Sequence, residues 1–447
     1  MAIKVSLISK SSLNPTNLIS FAAKTCYSSD IPKFTETLNT KEQLFDTGHH
    51  TTFQHSYFTF IIETSVSSCT FGLHLTHSFY NSDQRSGRYS KMYKSPDFTE
   101  IKKHILTYYP NCPIEKVMDF IKKGREIYKD NMKKAEKIAM EFLREERREA
   151  TEEYIESSAN KLAQEQMRVY LSAIFPTALV HTLSLSAIVT LYKSAWSPEL
   201  REITRQMRDL ILREYPDFEY CFKEQRETNW TPALEGRIGI LKSPEVYNIR
   251  TSHYGSLDYD FEKEKDAIDN KYFTPEKMNN SLYSMTNNVE VSLMTMGQDQ
   301  RHRTLKRTTP RFTGNFYLPP ICGELNLEKV TLEYLIDFIE IYKENKEVAT
   351  AIAPYGIMVK YKKMGDMNAI LHEQEKRLCW TAQEEIYNLS RQFYNKLMEG
   401  EDESVKEVAL LFRPSCYHGK CIEGKRFCGR NLVEIKENKL LIKRRRI

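Results

Sequence analysis

V-S-L-M-T-M-G-Q-D-Q-R-H-R-T, from Val291 to Thr304, and V-S-S-C-T-F-G-L-H-L-T-H-S-F, from Val66 to Phe79, are two versions of one segment. They lie 225 residues apart in a chain of 447. Val, Ser, Thr, Gly and His recur at matching places. An offset of about half the length makes the chain read as a diverged tandem duplication. Only the second version carries Arg301-His302-Arg303; the first has Thr76-His77-Ser78 there. The two halves are therefore expected to do different jobs.

Outward from that segment the composition is ordinary. Hydrophobic residues make up 40% and charged residues 28%, a normal soluble balance. No stretch approaches the roughly 20 apolar residues of a membrane span, so no membrane partner is expected. Met1 to Ser6 reads as a strand, not a signal peptide. The net charge of +5 is spread along the chain. The one basic cluster, Lys443 to Arg446, reads as a solvated tail, and nucleic acid is not expected as a partner. Nine cysteines, mostly scattered, suggest reduced thiols in a cytoplasmic protein.

Periodicity predicts strands at Ile3–Ser9, Tyr57–Val66 and Leu282–Leu293. It predicts helices at Asn14–Cys26, at Glu199–Tyr215, and once or twice between Ile114 and Tyr170. Ser67–Ser78 has helical spacing. Glu145 to Glu149 reads as a solvated face. Ala178–Tyr192 is apolar enough for a core helix, and further helices are expected at Leu332–Lys343, Ala351–Met364 and Leu371–Met398. The class is α+β, helix-rich, with a small antiparallel sheet per copy. The expected division is a first copy over 1–228, a connector over 229–260 rich in turn signals, and a second copy over 261–447. A Cys/His loop at 412–430 holds Cys416, His418, Cys421 and Cys428, a set that suits a structural zinc; a reduced, packed thiol loop is the other reading.

Further motifs fall in order around the repeat. Gly48-His-His-Thr51-Thr-Phe-Gln-His55 precedes Thr76-His77-Ser78, and Ser86-Gly-Arg88-Tyr89 follows that triplet after seven residues, with Gln84 inside the gap. Met167-Arg168-Val-Tyr-Leu171 comes later. The second half has Gln298-x-x-Arg301-His302-Arg303, then Thr350 where the first half has Arg168, then Arg377-Leu378 and Ala382-Gln-Glu-Glu-Ile386. This succession resembles the flavin-dependent thymidylate synthases, whose pattern is Arg-His-Arg, seven residues, then Ser-x-Arg-Tyr.

The resemblance implies reductive methylation of dUMP to dTMP. FAD would be the cofactor, with 5,10-methylenetetrahydrofolate and NADPH as co-substrates. It assigns Gln298, Arg301, Gln84, Ser86, Arg88, Arg168 and Arg377 to dUMP, with Arg301 and Arg377 as catalytic groups. Thr51, His77, Arg301, His302, Arg303, Asp366, Asn368 and His372 fall to FAD. Gln84 stands where the family has Glu, and Asp366-Met-Asn368 where it has Asn-x-Arg. Thr309-Pro-Arg311-Phe312 stands two residues too early for Ser-x-Arg-Tyr. Each half keeps what the other has lost, which points to one retained set of site residues. The family's homotetramer implies a homodimer here. A related flavin enzyme acting on another pyrimidine nucleotide, and a non-catalytic nucleotide-binding homologue, are the alternatives.

Overall fold

The computed structural model describes residues 1–10, 14–35, 40–75, 80–87, 97–223, 225–226, 228–252, 278–418, 421, 423–424, 427–432 and 443–447. His77 and Arg88 lie outside them. Helix and sheet are mixed, and no helix among the described residues is long and apolar enough to cross a membrane. The chain divides into two compact units. The first holds residues 1–118, 173–231 and 341–353; the second holds 119–172, 232–340 and 354–447. Each unit thus includes a segment from the other half of the sequence.

In the first unit β1 (Lys4–Lys10), β2 (Tyr57–Ser65), β4 (Pro176–Ser184) and β3 (Tyr80–Gln84) form an antiparallel sheet in that order. β2 turns Phe58, Phe60 and Ile62 inward, the alternate positions of a half-buried strand. They join a core with Ile19 of α1 (Pro15–Thr25), with Ile188 of α5 (Leu185–Ser194), and with Leu200, Ile203 and Met207 of α6 (Pro198–Glu214). Asn14 starts α1 by accepting from the Thr16 amide at 2.9 Å. α2 (Phe98–Tyr108) belongs to the same unit.

The second unit contains a six-stranded sheet. Its order is β5 (Gly239–Leu241), β9 (Arg311–Tyr317), β10 (Ile357–Asp366), β7 (Ser284–Ser292), β6 (Glu245–Ser252), with β8 (Lys306–Arg307) also on β10. Only β5 pairs in parallel. Read from its other edge, β6-β7-β10-β9 has the succession of β1-β2-β4-β3. Two long helices, α3 (Ile114–Glu146) and α4 (Glu152–Met167), fill the stretch where one or two were expected. α3 packs closely on this unit: a Cβ on Gly124 would fall 2.2 Å from the Tyr170 carbonyl oxygen. Phe120 stacks on Tyr334 of α8 (Glu328–Glu344) at 4.4 Å.

Several expectations are corrected. Ala178–Tyr192 is not one helix but β4 followed by α5. Ala351–Met364 holds the end of α9 (Lys346–Ile352) and then β10. Leu371–Met398 is two helices, α10 (Met367–Arg377) and α11 (Glu384–Met398). The stretch read as a connector supplies β5 and β6. Arg147 is buried, so Glu145 to Glu149 is not wholly a solvated face. Nor is the basic end wholly solvated: Lys443 and Arg444 are exposed, but Arg445 is buried, and Arg446 donates to Glu146 at 3.0 Å.

Candidate functional site

α7 (Leu293–Asp299) and the turn after it carry Gln298, Arg301, His302 and Arg303 in the second unit. The helix starts on Ser292, whose hydroxyl accepts from the Thr295 amide at 3.2 Å. Beneath it lies a buried carboxylate that motif reading missed. Glu385 accepts from the Ser292 amide at 2.6 Å, from the Ser292 hydroxyl, and from the Thr295 hydroxyl at 2.6 Å. The first unit has the same arrangement. Glu199 accepts from the hydroxyls of Ser65, at 3.0 Å, and Ser68, and Ser65 accepts from the Ser68 amide at 3.0 Å. Both carboxylates occupy the second position of their helices, α6 and α11. Ser65 thus answers Ser292 and Ser68 answers Thr295, two residues off the 225-residue register of the sequence repeat. A Ser-x-x-Ser/Thr at the end of each strand was the available signal.

The two carboxylates differ in their neighbours. Burial works to raise the Glu199 carboxyl, but His104 of α2, 2.5 Å away, and the two hydroxyls bring it below its ordinary value. Burial leaves Glu385 raised. Glu385→Ala would strand an amide and two hydroxyls in the interior, and unmet buried groups cost about 1–3 kcal/mol each. We expect a loss of roughly 2–4 kcal/mol, read from the urea midpoint; an unchanged midpoint would exclude this anchoring role.

Arg168, just beyond α4, belongs to this unit and is buried. Its Nε donates to Met294 Sδ at 2.8 Å, and its guanidinium lies 5.9 Å from the Tyr355 ring. Met294 and Gln298 are four residues apart on α7, hence on one face. Arg377, at the end of α10, donates Nη2 to the Gln298 carbonyl at 2.8 Å, and Gln298 Nε2 donates to Gln383 at 3.3 Å. Arg168, Gln298 and Arg377 are therefore gathered around one short helix.

Below it Asp299 is fully buried. It accepts from Arg307 at 2.6 Å, Tyr361 at 2.8 Å and Lys363 at 3.3 Å, and Lys363 also donates to Glu373 at 2.8 Å. Burial opposes ionisation, yet Arg307 and Lys363 hold the Asp299 carboxyl well below the usual range. His302 is 8% exposed, its ring 5.9 Å from that of His372. Burial, then the Arg377 charge, push its imidazole well below the ordinary value, so it is neutral near pH 7. Its Nε2 has no hydrogen-bond partner among the described residues. Arg301 is exposed and Arg303 half-buried.

Other expected residues take different places. Asp366 caps α10, accepting from the Ala369 amide at 2.8 Å, and Asn368 is buried in that helix. Thr51, exposed, Gln84, at the end of β3, and Ser86, half-buried, belong to the first unit. Cys416 and Cys421 are half-buried and Cys428 is buried; the His418 side chain lies outside the description. Among the described residues no group of three or more His, Cys, Asp and Glu is placed to hold a metal ion.

Next to Glu385, burial drives the Glu384 carboxyl up to about 8, although Tyr317 donates to it at 2.6 Å. A carboxyl raised in the folded state makes stability fall as pH climbs, from its unfolded value of about 4.3 upward. The loss is complete once the folded value near 8 is passed. Melting temperature should therefore decline between pH 5 and 8 on this account, and Glu384→Gln should flatten the decline. An equal slope in the variant would refute it.

Residues 6–217 match the family described as thymidylate synthase complementing protein, a little under half of the chain. No curated protein matches. Among solved structures the chain is similar to thymidylate synthase X from Helicobacter pylori, determined with FAD and dUMP. That likeness has 16% identity and a TM-score of 0.33, and covers 49% of this chain and 100% of the other.

Proposed function

We propose that this chain is a flavin-dependent thymidylate synthase made of two diverged copies of one fold. It would convert dUMP to dTMP, with 5,10-methylenetetrahydrofolate as carbon donor and NADPH as reductant. One observation carries the reading. Arg168, from the first half of the sequence, contacts the helix that bears Gln298 and precedes Arg301, both from the second half, and Arg377 meets the same helix. The family match over residues 6–217 supports it. The like strand successions and the paired Glu199 and Glu385 clasps support the duplication.

Arg168 and Arg377 offer fixed positive charge to a nucleotide monophosphate, and charge-assisted bonds to phosphate are the strong ones. The resemblance adds Ser86 and Arg88 on the phosphate side and Gln84 near the nucleotide. Arg301 stays protonated and would stabilise negative charge growing on a pyrimidine oxygen. FAD suits the same place. A buried, neutral His302 with an unmet Nε2 can bond one polar atom of a flavin, and Arg301 and Arg303 flank it. His372 stands beside His302, Asp366 caps α10 and Asn368 lies on it; Thr51 and His77 are assigned to the flavin by resemblance alone. When bound, FAD would supply the carbon-transfer and hydride chemistry. The protein binds, orients and places charge.

A homodimer would reproduce the family's tetramer, and sedimentation tests that. The decisive experiment is the purified protein itself. It should be yellow, and should oxidise NADPH faster when dUMP is added. Colourless protein that cannot be reconstituted with FAD would end this reading. A product assay across pyrimidine nucleotides separates dUMP from a related substrate.

A further inference from the structure

We propose that the first unit holds a pocket for a primary alkylammonium group, at the place that answers to the Arg168, Gln298 and Arg377 cluster of the second. The correspondence rests on the two-copy reading and is set by the glutamate clasps. Ser65 answers Ser292, so Ser67 answers Met294 and Phe71 answers Gln298. The hydrogen bonds follow the same alignment. In the second unit Arg168 donates to Met294 and Arg377 to the Gln298 carbonyl, each at 2.8 Å. In the first, Ser67 donates to the Thr350 carbonyl at 3.2 Å, and the Trp196 indole donates to the Phe71 carbonyl at 2.8 Å. Thr350 therefore stands for Arg168, Phe71 for Gln298 and Trp196 for Arg377.

These three replacements line one open pocket with Tyr109, Trp230 and Glu347. All six residues belong to the first unit. No Lys, Arg or His is among the lining residues. The nearby Arg201 of α6 is taken up elsewhere: it donates to the Ala195 and Thr228 carbonyls and to Asn229, at 3.4, 3.1 and 3.1 Å. Two carboxylates do reach the pocket, Glu199 and Glu347. Glu199 is engaged by Ser65, Ser68 and His104. Glu347 is half-buried near the start of α9, and its carboxylate meets no donor among the described residues. Where the second unit gathers arginines, the first has aromatic walls and one carboxylate to spare.

That exchange reverses what the pocket can hold. A nucleotide monophosphate is excluded by charge, and also by size, since the free space suits an ammonium head and not a nucleobase with its sugar. An ammonium head carries three donors and no acceptor. Glu347 supplies its counter-charge, and tryptophan is the aromatic side chain that attracts a cation best. Trp196 and Trp230 are both half-buried. They leave apolar surface along which an alkyl stem can lie while its charged end meets the carboxylate.

The full chain labelled with 5-fluorotryptophan gives one fluorine resonance each for Trp196, Trp230 and Trp380. Trp196→Phe, Trp230→Phe and Trp380→Phe assign them, and Trp380, in the second unit, is the internal control. n-Butylammonium chloride, titrated at constant ionic strength, should shift the Trp196 and Trp230 signals saturably and leave Trp380 in place. Glu347→Gln should weaken binding about tenfold or more, as loss of a charged hydrogen-bond partner does. n-Butanol, of like shape without charge, should show no saturation over the same range. Flavin content and dUMP-dependent NADPH oxidation, read on the same sample, report separately on the proposed function. Absence of a saturable shift would overturn the pocket's assignment. So would equal binding in Glu347→Gln, equal binding of n-butanol, or displacement of n-butylammonium by dUMP.

Discussion

Arg301→Ala should lower turnover by about a hundredfold or more while leaving the fold untouched. The magnitude follows from the role. A preorganised donor facing charge that grows in the transition state is worth roughly 3–4 kcal/mol, and each 1.4 kcal/mol is tenfold in rate. The clean separation from folding follows from position. Arg301 is exposed, beyond the end of α7, whereas its neighbours Asp299 and His302 are buried. Circular dichroism and the melting temperature should match the unaltered chain. If turnover with dUMP persists at more than about a third of the original rate, Arg301 faces no developing charge. Arg88→Ala, measured beside it, tests the phosphate assignment, which rests on resemblance. A harmless Arg88→Ala would remove the Ser86–Arg88 loop from the site.

Asp299→Ala should be the most destabilising single change near the site, costing about 3–5 kcal/mol. Asp299 receives Arg307, Lys363 and Tyr361 in a fully buried setting. Its removal leaves two cations with only Glu373 between them, and breaking a buried pair from one side costs more than the pair contributes. At roughly 2–4 °C per kcal/mol, the melting temperature should fall by about 10 °C. Because the folded carboxyl is held well below its usual range, this contribution is fully present above the unfolded value of about 4. It is lost as pH falls through the lower, folded value. Asp299→Ala with Lys363→Met should recover part of the loss, since the second change removes a stranded cation. A loss under about 1 kcal/mol for Asp299→Ala would mean that water reaches these charges.

Strands with one clean face were legible in sequence; those without were not. β2 alternates, and its boundaries came out within one residue. β4 also alternates in burial, with Thr177, Leu179, His181 and Leu183 inward. Its outward positions include Ala178 and Val180, so no polar face marked the period. β10 begins with Ile357, Met358 and Val359, all buried, and is flanked by β7 and β9. A run apolar on both sides cannot be told from a buried helix. Motif spacing pointed to Arg168, Gln298 and Arg377, which do meet at α7. It could not find Glu199 or Glu385, because a carboxylate at a helix start looks like an ordinary first-turn charge. Nor could it see that Arg445, within a basic run, is buried.

The exchanged segments bear on how such a gene can be cut. A break between residues 231 and 232 looks natural from the repeat, yet neither product would contain a whole unit. The front piece would lack residues 341–353, and the back piece would lack 119–172 with the Gly124 face that fits against Tyr334. Split halves would therefore be obligate partners, folding only at concentrations where they find each other. Covalent continuity replaces that bimolecular search with a local one at millimolar effective concentration. Peptide continuity here is a device of assembly.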